Sequence, residues 1–337
     1  MPSSTRKVLL LSHTNYDPGN SNNESSAPAR ILTAAGNSRA GLARILTAAG
    51  ASVSATSWND DCLDPEYLAA YDVVSFIGCW FYDKQPKRFC ALVKDKIIPA
   101  QKLNSELRIL NNPEIVLWNM EKTYLQDLEE AGFQVPKTHF IDDLSQISDP
   151  EMLCKHLNEV ANDFGQRKSY VLKPSISASA KQTHLVLDRF NYSKADHEYL
   201  SSVLTNGLDG RLMVQHFEPT IHSGEYSLVF VGGEHTHTVL KMPAKNDFRS
   251  QKAFGGQRIE IGKAELPSEA KRAAEKLIIW LEQRFGEVSY CRIDGVIRDD
   301  GEFVFMEVEA IEPELWWESA STSRAKDLLC QVFLGKG

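Results

Sequence analysis

Charged side chains interrupt two apolar runs near the carboxyl-terminal end of the chain, over residues 290–317. Between the runs lies Asp300-Gly301, a dipeptide typical of a tight β-hairpin turn. A two-residue turn there predicts three cross-strand pairs: Asp299 with Glu302, Asp294 with Glu307, and Arg292 with Glu309. Because side chains alternate along a strand, the last two pairs share one face and gather three carboxylates and one guanidinium on it.

Like charges placed directly opposite each other destabilise a sheet, so the pairing of Asp294 with Glu307 makes sense if a cation lies between them. Hard carboxylate oxygens suit Mg²⁺, which usually binds one or two carboxylates together with substrate phosphates. One interpretation is therefore a Mg²⁺–nucleotide site with Arg292 beside it as an anion-binding group. The other is a solvated hairpin face on which Arg292 and Glu309 form a surface ion pair.

Two lysines elsewhere in the chain could bind the anionic partner of such a site. Lys122 lies in the first turn of a predicted amphipathic helix over 119–131, where its charge opposes the helix dipole. Lys173 ends the apolar strand predicted over 169–174. The small residues that follow, 175–180, would let backbone N–H groups approach phosphate oxygens.

A basic loop over 245–256 carries paired glycines and follows a predicted strand. Loops of this kind often close over an anionic ligand, and the alternative is a disordered hairpin tip. On the strand before it, His235 and His237 have a spacing found in metal sites, although a solvated strand face is the simpler interpretation.

The first 115 residues alternate apolar strands with helical segments, which predicts a small α/β domain with a mainly parallel sheet. Trp80 and Asp83 follow the strand predicted over 71–78, and ligands of open α/β sheets bind at the carboxyl ends of strands. They are either substrate contacts or part of an aromatic plug. One octapeptide occurs identically at 29–36 and 43–50, which indicates a tandem duplication with no evident chemistry.

The bulk composition narrows the class of protein. A chain of 337 residues can hold two or three domains, and its 42% apolar and 24% charged content is ordinary for a globular protein. A net charge of −8 without basic runs argues against nucleic acid as the main partner. The six scattered cysteines lack zinc spacing, and the apolar run at 8–11 is too short for a signal or membrane span. We therefore expect a cytoplasmic protein with no membrane partner.

The order of these pieces is more specific than any single one. The motifs that carry it are Trp58-Asn-Asp60, Trp80-Phe-Tyr-Asp83, Asn119-Met-Glu-Lys-Thr-Tyr-Leu125, Gly224-Glu-Tyr-Ser-Leu228, Lys241-Met-Pro243, Asp247-Phe-Arg249 and Glu307-Val-Glu-Ala-Ile-Glu-Pro-Glu-Leu315. This order resembles the ATP-grasp superfamily, and within it the glutathione-synthetase-like branch and enzymes of the O-ureido-serine cyclo-ligase type. The resemblance covers roughly residues 50–320, and the segment 13–50 has no counterpart in it.

The resemblance implies an α/β fold that becomes α+β in the C-terminal half. It is the ATP-grasp fold, preceded by a pre-ATP-grasp domain with a parallel sheet. The implied domains are the pre-ATP-grasp domain at 1–117, a central ATP-grasp subdomain at 118–213, and a C-terminal subdomain with the metal-binding hairpin at 214–337. A homodimer is the expected assembly.

The resemblance also implies roles for matching residues. Those implied to bind ATP are Lys122 and Lys173 for the phosphates, Gln215, His216, Phe217 and Glu218 for the adenine, largely through their backbone, and Glu225 for the ribose. Those implied for metal and catalysis are Asp294, Glu307 and Glu309 for Mg²⁺ or Mn²⁺, Arg292 for the oxyanions of the reaction, and Lys241 and Arg249 for phosphate or substrate carboxylate. Many superfamily members have Asn where this chain has Glu309, a departure that the cyclo-ligase branch tolerates.

The activity implied is that of an ATP-dependent carbon–nitrogen ligase. A small-molecule carboxylate attacks the γ-phosphorus of ATP to give an acyl phosphate and ADP, and an amine or other nitrogen then displaces phosphate. The alternatives are an intramolecular cyclo-ligase, an ATP-binding regulatory protein without turnover, and a kinase-like phosphotransferase. The intact group of Arg292, Asp294, Glu307 and Glu309 argues against the regulatory protein, because a protein that only binds ATP does not need an oxyanion-stabilising arginine. The sequence identifies neither the acid nor the amine.

Overall fold

Three β-sheets form the framework of the protein in a computed structural model, which describes residues 5–13, 38–166, 168–261, 265–316 and 323–335. The polar segment at 13–28, apart from His13, and the first copy of the octapeptide lie outside these ranges. Residues 43–48 of the second copy lie in helix α1, Ser38–Ala48. None of the helices in the described part of the chain is long and apolar enough to cross a membrane.

The N-terminal sheet is parallel, as the alternation of strands and helices predicted. Its strands are β1 (Lys7–Ser12), β2 (Ser52–Ser57), β3 (Val73–Ser75) and β4 (Arg108–Leu110), in the order β2-β1-β3-β4. β1 is apolar on both faces because helices cover both: Val8 and Leu10 join one core, and Leu9 and Leu11 join another. The helices after α1 are α2 (Pro65–Ala69), α3 (Pro86–Ala91) and α4 (Ile98–Leu103), with a π-helical stretch at Leu92–Ile97 between the last two.

The central sheet is antiparallel and carries Lys173. Its strands are β5 (Thr138–Ile141), β6 (Tyr170–Pro174), β7 (His184–Val186) and β8 (Leu212–His216), in the order β5-β8-β6-β7. Helices α7 (Pro150–Val160) and α8 (Lys194–Asn206) contribute Leu153, Leu157 and Leu200 to the core on one face of this sheet. The other face is therefore left for the cleft described below.

The C-terminal sheet carries the acidic hairpin. Its strands are β9 (Glu225–Val231), β10 (Glu234–Met242), β11 (Gln257–Ile261), β12 (Tyr290–Ile297) and β13 (Phe303–Glu309), in the order β11-β10-β9-β12-β13. Helix α9 (Ser268–Phe285) buries Ala270, Ala274, Leu277 and Leu281 against it, at the spacing of one helical face. Helix α10 (Ser323–Leu334) joins α1 in the core between the N-terminal and C-terminal sheets.

The predicted helix over 119–131 is wrong, because the structure has two short helices with a break at Lys122. They are α5 (Pro113–Asn119) and α6 (Tyr124–Glu130). The buried Asn119 side chain bonds the backbone of β13, donating to the Val308 carbonyl at 2.8 Å and accepting from the Ala310 N–H at 2.8 Å. Tyr124 also bonds the Val308 backbone. These bonds hold both sides of the break against β13, which a helical periodicity does not reveal.

The hairpin turn also differs from the prediction, although the register of the charged residues is as predicted. Arg298, rather than Asp299, faces Glu302, and the Gly301 N–H donates to the Arg298 carbonyl across a longer loop. A β-bulge between Asp294 and Gly295 then shifts the register back by one residue. The longer loop and the bulge compensate for each other, so Asp294 still pairs with Glu307.

These three sheets confirm the predicted fold class, an α/β N-terminal half followed by a largely antiparallel C-terminal half. The predicted domain boundaries stay a prediction. β8 of the central sheet spans the boundary predicted between the second and third domains.

Candidate nucleotide and metal site

The hairpin of β12 and β13 places three carboxylates together. Asp294 pairs with Glu307 and Arg292 with Glu309 in the antiparallel register. One ligand oxygen from each of Asp294, Glu307 and Glu309 lies within 4.8 Å of the others. Asp294 is fully buried and Arg292 is 6% exposed, so the alternative of a solvated hairpin face does not hold.

Three basic side chains meet this cluster, one from β12 itself and two from other parts of the chain. Arg292 binds Asp294 through both Nε and Nη2, each at 2.9 Å, and also contacts Glu309. Lys241 of β10 donates to Asp294 at 2.8 Å, while Lys122, at the helix break, lies 3.1 Å from Glu307. The cluster therefore alternates carboxylates and cations over a short distance.

The pKa values of the carboxylates diverge within the cluster. Burial would raise the pKa of Asp294, but Arg292 and Lys241 outweigh it and hold that pKa well below its ordinary value. Burial would also raise the pKa of Glu307, but Lys122, Lys173 and Arg292 together outweigh it and lower that pKa. The pKa of Glu309 rises to about 7, chiefly because of burial; Glu307 and Asp294 act in the same direction, and Arg292 and Lys241 oppose it.

The donor set fits a hard divalent cation. Three carboxylates within reach of one point offer only oxygen ligands, the type that Mg²⁺ prefers. A cation at this point would also favour the ionised form of Glu309, whose pKa is raised chiefly by burial. The residues that would hold it are those the resemblance implied.

A cleft that is partly open to solvent lies beside Glu307, which is one of its lining residues. Lys122 and Lys173 both line it, so the structure brings together the two lysines proposed for phosphate binding. Burial, followed by repulsion from Lys122, lowers the pKa of Lys173 to about 8. Ser177, Ser179 and Ala180 of the small-residue loop line the same end of the cleft.

The cleft is also lined by the segment predicted to meet adenine and by a cluster of apolar side chains. Gln215, His216, Phe217 and Glu218 all line the cleft. Sequence reasoning missed further apolar lining residues, which are Val171, Ile221, Phe248 and Met306. They come from four separate elements and share no motif, so only their convergence in the fold identifies them.

Three other predicted ligand-binding residues are already engaged with protein groups. Glu225 accepts from Ser250 Oγ at 2.5 Å and pairs with Lys241 at 2.8 Å. Lys241 is buried between Glu225 and Asp294, whose charges outweigh the effect of burial and raise its pKa. Arg249 lines the cleft, but its guanidinium pairs with Asp247 at 2.8 Å and stacks on Phe254.

A hydrogen-bond network that the sequence did not predict holds Lys122 in place. Ser175, which is fully buried, accepts from the Lys122 backbone N–H at 2.9 Å through its carbonyl. Its hydroxyl donates to Glu121 at 2.7 Å and accepts from the Arg211 N–H at 2.7 Å. The Lys122 ammonium then donates to the Ser177 carbonyl at 2.6 Å. The helix break is thereby fixed to the loop that follows Lys173.

Four candidates from the sequence remain: Trp80, Asp83, His235 and His237. The Trp80 carbonyl accepts a hydrogen bond from the Trp58 indole N–H at 3.0 Å, and Asp83 is buried. Both observations favour the aromatic plug over a substrate contact. The neighbouring Tyr82 is partly buried, and desolvation followed by the charges of Glu312 and Glu309 raises the pKa of its phenol. His235 contacts Thr238 and His237 contacts the Leu315 carbonyl, and neither belongs to a metal-binding group among the described residues.

Comparison with known proteins agrees with this geometry. Residues 138–286 match the family model of the prokaryotic glutathione synthetase ATP-grasp domain. The solved structure of D-cycloserine synthetase is similar at a TM-score of 0.71 and 17% identity, covering 98% of this chain and 100% of that one. D-alanine–D-alanine ligase from Bacillus anthracis, complexed with ATP, is similar at a TM-score of 0.61 and 13% identity, covering 98% of this chain and 97% of that one. A macrocyclase from Microcystis aeruginosa, bound with its precursor peptide, is similar at a TM-score of 0.57 and 15% identity, covering 98% of this chain and 100% of that one. No curated protein matches the sequence.

The fold is the ATP-grasp fold, as the sequence resemblance predicted. More particularly, its central part matches the ATP-grasp domain of prokaryotic glutathione synthetase, which agrees with the branch that the resemblance indicated. The predicted enzyme class, an ATP-grasp carbon–nitrogen ligase, agrees with the names of these proteins, which are synthetases and ligases. At these low identities the structural similarities establish the fold.

Proposed function

We propose that this protein is an ATP-dependent ligase that activates a small-molecule carboxylate as an acyl phosphate and couples it to a nitrogen nucleophile. The observation that carries the proposal is the position of Glu307. It belongs to the three-carboxylate cluster and also lines the cleft that contains Lys122 and Lys173. A divalent cation and a triphosphate would therefore meet at the same point.

The reaction consists of two transfers. A carboxylate oxygen of the substrate attacks the γ-phosphorus of ATP, the bond to the β–γ bridging oxygen breaks, and ADP leaves. A nitrogen lone pair then attacks the acyl carbon, phosphate departs with the electrons of the C–O bond, and the nitrogen loses a proton. When bound, Mg²⁺ would neutralise phosphate charge, and Asp294, Glu307 and Glu309 would hold it.

The chain's own residues supply positioning and charge. Lys122 and Lys173 orient the phosphates from the wall of the cleft. Arg292 stabilises the oxyanions of the two transfers, and its orientation is fixed by two bonds to Asp294. Lys241 links Asp294 to Glu225, so the proposed metal and ribose sites are held at a constant separation. Arg249 and the loop that carries it would limit access of water to the acyl phosphate.

The second candidate is the intramolecular version, a cyclo-ligase in which acid and nitrogen belong to one molecule. The similarity to D-cycloserine synthetase supports it, together with the cyclo-ligase motifs around Asp247-Phe-Arg249. A regulatory ATP-binding protein remains the alternative from another class. Within the ligase proposal the partners are a small carboxylate and an amine, the chain acts in the cytoplasm, and a homodimer is the expected assembly.

The test is phosphate release from ATP with Mg²⁺, screened against pools of amino acids and small carboxylates, with mass spectrometry of the products. A ligase gives ADP, phosphate and a dehydrated adduct of two molecules, whereas a cyclo-ligase gives a dehydrated monomer. A phosphorylated substrate as the final product would instead indicate the kinase-like reaction. ATP binding without turnover in any pool would contradict the ligase and favour the regulatory protein.

A further inference from the structure

Two consecutive buried hydrogen bonds hold the Gln215 side chain, which lines the cleft. Its Nε2 donates to Thr138 Oγ1 at 2.9 Å, and Thr138 Oγ1 donates to the Pro136 carbonyl at 2.7 Å. Gln215 is 2% and Thr138 8% exposed. The register of β5 and β8 places Thr138 directly opposite Gln215, so the contact follows from the strand pairing.

The single hydrogen of the threonine hydroxyl decides which way the amide points. A carbonyl such as that of Pro136 can only accept, so the hydroxyl gives its hydrogen there and can meet Gln215 only as an acceptor. With the amide reversed, Gln215 Oε1 would face the hydroxyl oxygen with no hydrogen between them. An unsatisfied buried acceptor is costly, so Gln215 keeps its NH₂ towards Thr138.

The consequence is that Gln215 offers its oxygen to the cleft. Within the described part of the chain, no donor pairs with Gln215 Oε1. Gln215 lies opposite Val171, two residues along β6 from Lys173, so it shares a sheet face with a phosphate-binding lysine. Val171, its cross-strand partner, belongs to an apolar cluster that lines the cleft, and a base rather than a phosphate would lie against such a cluster.

We propose that Thr138 is a positioning residue that fixes Gln215 as an acceptor, and that this pair selects purine nucleotides with an amino group at C6 over those with an oxo group. The inference rests on the proposed function, because it takes the cleft as the ATP site. A 6-amino group donates to Gln215 Oε1. A 6-oxo group sets two acceptors against each other, and Gln215 cannot turn over without breaking its bond to Thr138.

The experiment compares the binding of ATP and of inosine triphosphate, which differ at C6, by isothermal titration calorimetry with Mg²⁺. The proteins are the wild type, Thr138→Val, Thr138→Ser, Gln215→Glu and the double variant of Thr138→Val with Gln215→Glu. We expect the wild type to bind ATP about tenfold or more tightly than inosine triphosphate. Thr138→Val should narrow that ratio severalfold, mainly by tighter binding of the 6-oxo nucleotide, because the amide is then able to turn. Thr138→Ser keeps the hydroxyl and should keep the ratio.

Gln215→Glu provides the matched control, because an ionised carboxylate has no donor whichever way it points. It should keep the preference for ATP, and adding Thr138→Val should then change nothing. If the Thr138→Val substitution prevents folding, Gln215→Leu decides, and it should bring the two affinities to within about twofold.

A wild-type ratio near one would overturn the inference, as would an unchanged ratio in folded Thr138→Val or in Gln215→Leu. These results leave the ligase proposal standing, because ATP still binds. Failure of the wild type to bind ATP at all would instead overturn the ligase proposal, and the inference with it.

Discussion

Asp294 illustrates how single residues set the chemistry of this site. It is fully buried, both of its oxygens accept hydrogen bonds, and its two cationic partners come from the same strand and from β10. Arg292 and Lys241 therefore keep Asp294 ionised. Burial instead raises the pKa of Glu309 to about 7. The ligand atoms of Asp294, Glu307 and Glu309 lie within 4.8 Å of one another, an arrangement that fits a divalent cation.

Removing one carboxylate should abolish metal-dependent turnover. We expect Glu307→Gln to lower ATP turnover by about a hundredfold or more, because the lost oxygen serves a charge-stabilising site in the transition state. The exposed Glu302 on the same hairpin offers a control, and Glu302→Gln should retain full activity. The measurement is ADP release as a function of Mg²⁺ concentration. Wild-type activity and Mg²⁺ dependence in Glu307→Gln would contradict the metal assignment.

The lowered pKa of Lys173 predicts a pH dependence of ATP binding. With a pKa of about 8 in the free protein, the amine is charged below that pH and neutral above it. The phosphates bind the charged form, so ATP affinity should fall as pH rises through about 8. Lys173→Met should bind ATP more weakly at low pH and lose this step. Titrations between pH 6.5 and 9.5 measure both effects, and a flat wild-type profile would refute the role of Lys173.

At the scale of elements, the register of β12 and β13 depends on the bulge as much as on the turn. A Cβ on Gly295 would lie 2.3 Å from Phe303 Cζ and 2.6 Å from the Val304 carbonyl oxygen. The strands therefore approach so closely at the bulge that only glycine fits. The bulge restores the pairing of Asp294 with Glu307 after the longer loop has shifted it.

Gly295→Ala should destabilise the protein by about 1–3 kcal/mol, the usual cost of overpacking. Gly301, in the same hairpin, has a φ of +89° but open space around a Cβ, so Gly301→Ala tests backbone strain without a clash. Its cost should be about 1 kcal/mol. Urea unfolding of both variants gives the comparison. Equal stability of Gly295→Ala and the wild type would show that the close approach is unimportant.

Elements built from local signals could be predicted from the sequence, and contacts between elements could not. The apolar runs around Asp300-Gly301 predicted both strands and two of the three charged pairs, although the longer loop and the bulge that preserve those two pairs were not predicted. The periodicity over 119–131 predicted one helix, because the bonds of Asn119 and Tyr124 to β13 are long-range. The apolar residues of the cleft were missed for the same reason, since Val171 and Met306 come together only when β6 and β13 are placed.

At the scale of the whole molecule, polar side chains join the sheets around the cleft. Asn111, after β4 of the N-terminal sheet, bonds the carbonyls of Tyr290 and Ala310 and the N–H of Ser289, all of the C-terminal region. Glu218, after β8 of the central sheet, pairs with Arg298, after β12. The predicted adenine segment and the acidic hairpin are thus held in one arrangement.

The Glu218–Arg298 pair should stabilise the fold in a pH-dependent way. Burial would raise the pKa of Glu218, but His216 and Arg298 lower it to about 2. A lowered folded-state pKa means that the stabilisation is fully present above the ordinary carboxyl pKa and is lost as pH falls towards 2. The difference in unfolding free energy between the wild type and Glu218→Gln should therefore be larger at pH 6 than at pH 3.5. A difference that is the same at both pH values would contradict the pairing.

The most direct test of the proposed chemistry follows oxygen from the substrate. Once the pool screen has identified a carboxylate that stimulates turnover, that acid is prepared with ¹⁸O in its carboxyl group and incubated with ATP, Mg²⁺ and the nitrogen substrate. An acyl phosphate intermediate transfers one carboxyl oxygen to the phosphate that is released, so the account predicts one ¹⁸O atom in each inorganic phosphate. Released phosphate without ¹⁸O would contradict carboxylate activation, and the account of this site as a ligase would be wrong.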